Sequence, residues 1–209
     1  MELFGYYRSS ASYRVRIALN LKNIEVSHIP VNLASGEQHQ ETYTRINPQG
    51  LVPLLRLADG RTLSQSTAIL EYLEAVYTET PLLPADPFEA AKVRAWVNSI
   101  ACDVQPLNNL RVQKYLSAQF AADDKQKSAW LSNWVDRSFS ALELSLEASP
   151  YCNGERPGLA DVYLIPQVYN AIRFKQNLSA YPKIVSIYEQ CNTLDAFKRA
   201  APDQQADAV

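Results

Sequence analysis

Residues 8–19, Arg8-Ser9-Ser10-Ala11-Ser12-Tyr13-Arg14-Val15-Arg16-Ile17-Ala18-Leu19, crowd three serines and three arginines into one short stretch. They follow an apolar run, Leu3-Phe4-Gly5-Tyr6-Tyr7, and lead into an amphipathic one, Val15–Leu21. That pattern predicts a strand, a tight hydroxyl-rich turn, and a helix over Ser12–Leu21. A hydroxyl at such a junction faces the unpaired N–H groups and positive dipole end of the helix, where an anion is stabilised. Arg14 and Arg16 stand in the first helical turns, where the dipole disfavours cations, so an anionic partner is called for. The plainer alternative is that Ser10 or Ser12 only caps the helix.

Two further stretches carry polar chemistry beside apolar elements. Asn47-Pro48-Gln49-Gly50-Leu51-Val52-Pro53 runs into the apolar Leu54-Leu55-Arg56-Leu57. A cis Val52–Pro53 bond would turn the backbone of Val52 outward, free for an extended peptide ligand. A trans proline at a strand edge is the ordinary alternative. Gln65-Ser66 precedes Ile69, Leu70, Leu73 and Val76, spaced as one helical face, with Ser66 a good N-cap.

The elements that must hold these residues alternate over 1–80. Strands are expected at Leu3–Tyr6, Val26–Pro30, around Leu54–Leu57 and at Thr62–Leu63, the last two joined by an Asp59-Gly60 turn. A short irregular helix is expected at Glu37–Arg45, giving β-α-β-α-β-β-α. Pro81, Pro84 and Pro87 mark 81–87 as a linker. Residues 88–209 then read as one all-helical domain, with helical spacing over 88–115, 126–148, 159–174, 181–191 and 194–200. The polar tail, 202–209, is expected to fray. No internal repeat is visible.

Composition excludes several classes. The 209 residues are 47% hydrophobic and 20% charged with a net charge of −2, so neither nucleic acid nor an anionic membrane is an expected partner. No run approaches the ~20 apolar residues of a membrane span, and the N-terminus lacks a secretory pattern. Three widely spaced cysteines, Cys102, Cys152 and Cys191, suggest free thiols and a cytoplasmic location. With only His28 and His39 and no C-x-x-C, a metal site has nothing to be built from. No Gly-x-Ser-x-Gly elbow supports a serine hydrolase.

Together, the β-α-β-α-β-β-α order, Val-Pro before the third strand, Gln65-Ser66 opening the third helix and the all-α second half resemble a cytosolic glutathione transferase over the whole chain. The architecture this implies is α/β plus all-α, a thioredoxin-like domain followed by a helical one. Arg8-Ser9-Ser10-x-Ser-x-Arg-Val-Arg-Ile-Ala-Leu resembles the zeta-class signature, as do Asn47–Pro53, Gln65-Ser66 and Gln105-Pro106-Leu107-x-Asn109. That class includes maleylacetoacetate and maleylpyruvate isomerases.

The resemblance implies glutathione as cofactor and assigns residues to it. Ser9, with Ser10 beside it, matches the thiolate-stabilising hydroxyl. Val52, through a cis geometry at Pro53, would pair with the cysteinyl backbone, and Gln65 and Ser66 would hold the γ-glutamyl carboxylate. His39 and Gln49 match positions near the glycyl end, and Gln105 and Asn109 would reach in from the neighbouring subunit of a homodimer. Arg8, Arg111 and Arg173 match active-site arginines, suited to fork onto substrate carboxylates. The implied reaction is cis-to-trans isomerisation of a β-diketo dicarboxylic acid, by thiolate addition to the cis double bond, rotation and expulsion. Maleylacetoacetate, in tyrosine or phenylalanine breakdown, leads. Maleylpyruvate isomerisation in gentisate-type degradation, or general transferase or dehalogenase activity, are the alternatives. Two positions depart from the family pattern: Ala11, where many zeta members have cysteine, and Gly158, where Ser or Thr is usual before Asp161. Asp161 is expected to be buried and structural.

Overall fold

In the computed structural model, which describes residues 1–147 and 149–208, the chain forms two compact units. One comprises Met1–Leu82 together with Asn192–Val209, the other Leu83–Cys191. Ala148 and Val209, the ends of the expected 126–148 helix and of the tail, lie outside the described residues.

The first unit is built on strands β1 (Glu2–Gly5), β2 (Ser27–Pro30), β3 (Leu54–Arg56) and β4 (Thr62–Ser64), ordered β2-β1-β3-β4. β1 pairs parallel with β2, Phe4 opposite Ile29, and antiparallel with β3, Phe4 opposite Leu54. β3 and β4 form the antiparallel hairpin that the Asp59-Gly60 turn predicts, Gly60 taking φ +88°. Helix α1 (Ser10–Leu21) crosses from β1 to β2, α2 (Glu41–Thr44) follows a 3₁₀ turn at Glu37–His39, and α3 (Ser66–Val76) follows β4. Phe4, Val31, Tyr43 and Leu54 close a core to which Ile29, Ile46 and Val52 add their partly buried side chains.

Neither Ser10 nor Ser12 caps α1. Ser9 does: its Oγ accepts the Ser12 N–H at 3.2 Å, and Ser10 is already helical. Ser66 is likewise not a cap. The chain turns into α3 at Gln65, whose φ of +70° leaves Ser66 as the first helical residue.

The second unit holds α4 (Pro87–Ala101), α5 (Leu110–Phe120), α6 (Asp124–Ser145), α7 (Leu159–Arg173) and α8 (Pro182–Cys191). α7 buries every residue from Leu159 to Val168 and packs against α4 and α8, so it is the axis of this unit. The helical spacing over 88–115 does not make one helix. Pro106 cannot continue an α-helix, and Asn109 starts α5 afresh by accepting the Arg111 N–H at 3.1 Å.

The expectation of one helical domain over 88–209 is corrected at its end. α9 (Asp195–Ala200) packs on α1 in the first unit, with Phe197 and Ala200 fully buried and Asn20 Nδ2 donating to Ala196 O at 2.8 Å. The tail does not fray over 202–208 either. Pro202 is buried, and the Tyr7 N–H donates to Asp207 Oδ2 at 3.0 Å. Neither contact has a local signal, because the partners lie far apart in sequence.

Candidate active site

The loop between β1 and α1 has four residues, Tyr6 to Ser9, and its geometry is set at both ends. The Ser9 N–H donates to Tyr6 O at 2.9 Å, and the Tyr13 N–H donates to Ser9 O at 2.8 Å. Because Ser9 Oγ accepts the Ser12 N–H, its own O–H stays available to donate outward. A negatively charged atom placed there meets a hydroxyl donor and the positive end of α1 together.

Arg8 is exposed but not loose. Its guanidinium lies 4.9 Å above the Tyr7 ring and 5.8 Å from the Tyr6 ring, and Nη2 donates to Tyr6 Oη at 3.0 Å. The two rings meet edge to face, 4.8 Å apart. Stacking of this kind holds the guanidinium plane in a fixed orientation. The sequence reading missed both tyrosines, although an aromatic pair directly before an arginine was a usable signal. Arg14 and Arg16, for which an anion was expected, run inward. Arg14 is 1% exposed, and Arg16 donates from Nε to Ala200 O at 2.9 Å and from Nη2 to Tyr7 O at 3.0 Å.

Before β3, the Val52–Pro53 bond is cis. The β1–β3 register begins at Leu54, so the peptide groups of Val52 lie outside that ladder. Gln65 stands between β4 and α3 with φ +70°, a conformation that costs a non-glycine residue about 1–3 kcal/mol. Its Nε2 donates to Gln49 Oε1 at 2.8 Å, tying the head of α3 to the turn before Val52. The Gln65 side chain does not cap α3, and its first turn carries no acidic residue. That end therefore suits an incoming carboxylate. His39 is exposed at the end of the 3₁₀ turn and crowds the same segment: a Cβ on Gly50 would sit 3.3 Å from His39 Nδ1 and 3.1 Å from Gln38 O.

Within the first unit the structure thus brings Gln49, Gln65 and Ser66 together, sets His39 against Gly50, and places Arg8, Ser9 and Ser10 on one loop and helix end. The remaining four belong to the second unit. Gln105 lies between α4 and α5, its N–H donating to Ile100 O at 2.9 Å, and Asn109 caps α5. Arg111 is exposed in the first turn of α5. Arg173 ends α7, its guanidinium 4.1 Å from the Phe174 ring and Nη2 donating to Asn170 Oδ1 at 3.0 Å.

Asp161 is fully buried at the head of α7 and accepts the Cys152 N–H at 2.9 Å and the Gly158 N–H at 2.8 Å. The Cys191 thiol lies 3.8 Å from the same carboxylate. Burial pushes the Asp161 carboxyl above its ordinary range and raises both thiols, with the nearby carboxylate adding to the rise. A sealed group of this kind holds structure and offers nothing to a ligand.

A four-stranded sheet with one parallel pair, a cis proline before β3 and a hydroxyl at the head of α1 are features of the glutathione-transferase class of fold. Comparison with known proteins agrees. A family model described as the N-terminal domain of glutathione S-transferase matches residues 8–76. A probable maleylacetoacetate isomerase of Vibrio cholerae is 44% identical, over 99% of this chain and 97% of its own. A holo maleylpyruvate isomerase, a bacterial zeta-class glutathione S-transferase, superposes with a TM-score of 0.97 at 41% identity, covering 100% of both chains. A maleylacetoacetate isomerase from Anaeromyxobacter dehalogenans, solved with dicarboxyethyl glutathione and citrate in its active site, gives a TM-score of 0.89 at 38% identity, covering 100% of this chain and 97% of its own. The chain belongs to the zeta class of the glutathione S-transferase family.

Proposed function

We propose that this protein is a glutathione-dependent cis–trans isomerase of an unsaturated β-diketo dicarboxylic acid, maleylacetoacetate before others. Full-length likeness to isomerases of this class carries the reading, together with a loop that sets a hydroxyl donor beside a stacked guanidinium at the head of α1. When bound, glutathione supplies a thiol whose conjugate base adds to the double bond and is expelled again, so the tripeptide is not consumed. The glutathione carrying a dicarboxyethyl group in the Anaeromyxobacter relative is the kind of adduct such an addition forms.

The residues of this chain divide the remaining work. Ser9, supported by Ser10 and the positive end of α1, favours the charged form of a sulfur and so lowers its pKa. Val52 beside Pro53 offers main-chain hydrogen bonds to an extended peptide. Gln65 and Ser66 receive the γ-glutamyl carboxylate, Gln49 and His39 the glycyl end, and Gln105 and Asn109 of a second copy complete the site in a homodimer. Arg8, Arg111 and Arg173 bind substrate carboxylates and stabilise negative charge as it develops. Ala11 leaves no protein thiol beside Ser10, so the sulfur that reacts belongs to the bound tripeptide. A cytoplasmic enzyme of tyrosine and phenylalanine breakdown fits this chemistry.

The 0.97 TM-score to a maleylpyruvate isomerase favours a second reading in which only the length of the keto-acid end differs. Following the absorbance of each substrate with and without glutathione decides between them. Faster glutathione-dependent turnover of maleylacetoacetate is expected. Preference for maleylpyruvate moves the pathway, and turnover of neither by a glutathione-binding protein ends the isomerase reading.

A further inference from the structure

Tyr7 connects the candidate catalytic loop to the far end of the chain. The residue is 5% exposed, and its ring forms the surface on which the Arg8 guanidinium lies. Both of its peptide groups are held by, or through, the segment after residue 191. Its N–H donates to Asp207 Oδ2 at 3.0 Å, and its carbonyl accepts from Arg16 Nη2 at 3.0 Å, while Arg16 Nε donates to Ala200 O at 2.9 Å. That segment is anchored in turn by buried Phe197, Ala200 and Pro202 and by Asn20 Nδ2 on Ala196 O. Within the loop, the backbone bond joins Ser9 N–H to Tyr6 O.

We propose that Asp207 is a positioning residue for Arg8 and Ser9: by accepting the Tyr7 N–H it fixes the height and tilt of the loop that presents the guanidinium and the hydroxyl. The inference rests on the roles given to Arg8 and Ser9 above. A loop of four residues between a strand and a helix has few ways to relax, so releasing one peptide group shifts its neighbours together. Small displacements of groups that act on a reacting atom cost rate steeply.

Three variants test it: Asp207→Ala, which removes the acceptor, Asp207→Asn, which keeps an amide oxygen there, and Asp203→Ala, a control on the same segment. In the ligand-free protein, Tyr7 amide exchange read by NMR should quicken about tenfold in Asp207→Ala, as expected for an amide released from a native hydrogen bond. Far-ultraviolet titration of bound glutathione should put its thiol pKa about one unit higher in that variant, because the Ser9 donor is displaced. Its kcat for maleylacetoacetate should fall about tenfold, while the KM for glutathione stays within about threefold and the melting temperature within about 3 °C. Asp207→Asn and Asp203→Ala should match the parent protein in all five.

An Asp207→Ala protein with parental thiol pKa and kcat overturns the proposal. So does one that loses melting temperature and glutathione affinity together, and so does an Asp207→Asn protein as impaired as Asp207→Ala. If the parent binds glutathione but isomerises neither substrate, the functional reading fails, while amide exchange and thiol titration still decide the role of Asp207.

Discussion

α1 and α7 both begin where a side-chain oxygen accepts backbone N–H groups, yet one end is open and the other sealed. At α1 the acceptor is a half-buried neutral hydroxyl, Ser9, which takes one N–H and keeps its own proton to give. At α7 it is the Asp161 carboxylate, fully buried, with two backbone N–H groups and the Cys191 thiol against it. The hydrogen-bonding device is similar, but its use depends on what remains unspent. Asp161 directs its acceptor capacity inward and so fastens the 152–158 segment to α7. Ser9 leaves capacity facing outward, beside an arginine laid on two tyrosines. The head of α3 goes further: it has no side-chain cap and its entry residue is held at φ +70°.

The largest difference between these ends should appear in stability. Asp161→Ala leaves two backbone N–H groups unpaired, and at 1–3 kcal/mol for each buried unmatched group the loss is about 3 kcal/mol. For a chain of this length that lowers the melting temperature by about 9 °C by calorimetry. A shift under about 2 °C would show that water or a neighbour satisfies those groups and would erase the contrast. Ser9→Ala should do the reverse. Losing a cap costs about 1 kcal/mol, but kcat/KM for the isomerisation should fall about a hundredfold, as when one donor to a developing charge is removed. Ser9→Thr should recover most of that loss, and equal damage to stability and rate would place Ser9 with Asp161 instead.

Gln65→Gly should separate strain from binding. A glycine adopts φ +70° without the side-chain penalty, so the variant should be as stable as the parent or about 1 kcal/mol more stable. Losing the amide contact to Gln49 should weaken glutathione binding about tenfold by titration calorimetry. If stability falls instead, the strained residue is holding the turn and is not kept for the ligand.

The smallest effect concerns pH. Burial holds the Asp161 carboxyl above its ordinary value of 3.8, so above that value the folded state keeps a proton that the unfolded chain has released. The folded form then binds more protons, and stability must fall as pH rises through the window between the two values and level off above it. Melting temperatures of the parent and of Asp161→Asn, measured from acid to neutral pH, should therefore converge as pH rises. A gap that widens with pH would mean the hydrogen bonds to the carboxylate outweigh its burial.

Much of the first unit was legible because its signals are local. The Asp59-Gly60 hairpin, the strand–turn–helix at the N-terminus and the apolar face of α3 each depend on neighbours within a few residues. Assigning the caps of α1 and α3 erred by one or more positions, since Ser and Gln at adjacent sites differ only in backbone angles that type alone does not specify. Helical spacing over 88–115 hid a break at Pro106 and Asn109 because flanking segments of similar composition share one period.

By itself, the sequence determined the alternation of strands and helices, the family to which the chain belongs, and the residue types gathered at the head of α1. Those follow from periodicity, turn chemistry and motif spacing, all of which act along the chain. Tertiary structure alone decided that Gln65 reaches Gln49, that residues 192–209 join the first unit, and that Asp207 holds Tyr7. Each of these depends on packing or on hydrogen bonds between groups brought together only when the sheet and its helices close. The Tyr7–Asp207 bond spans a separation of 200 residues, and no local preference encodes a contact at that distance.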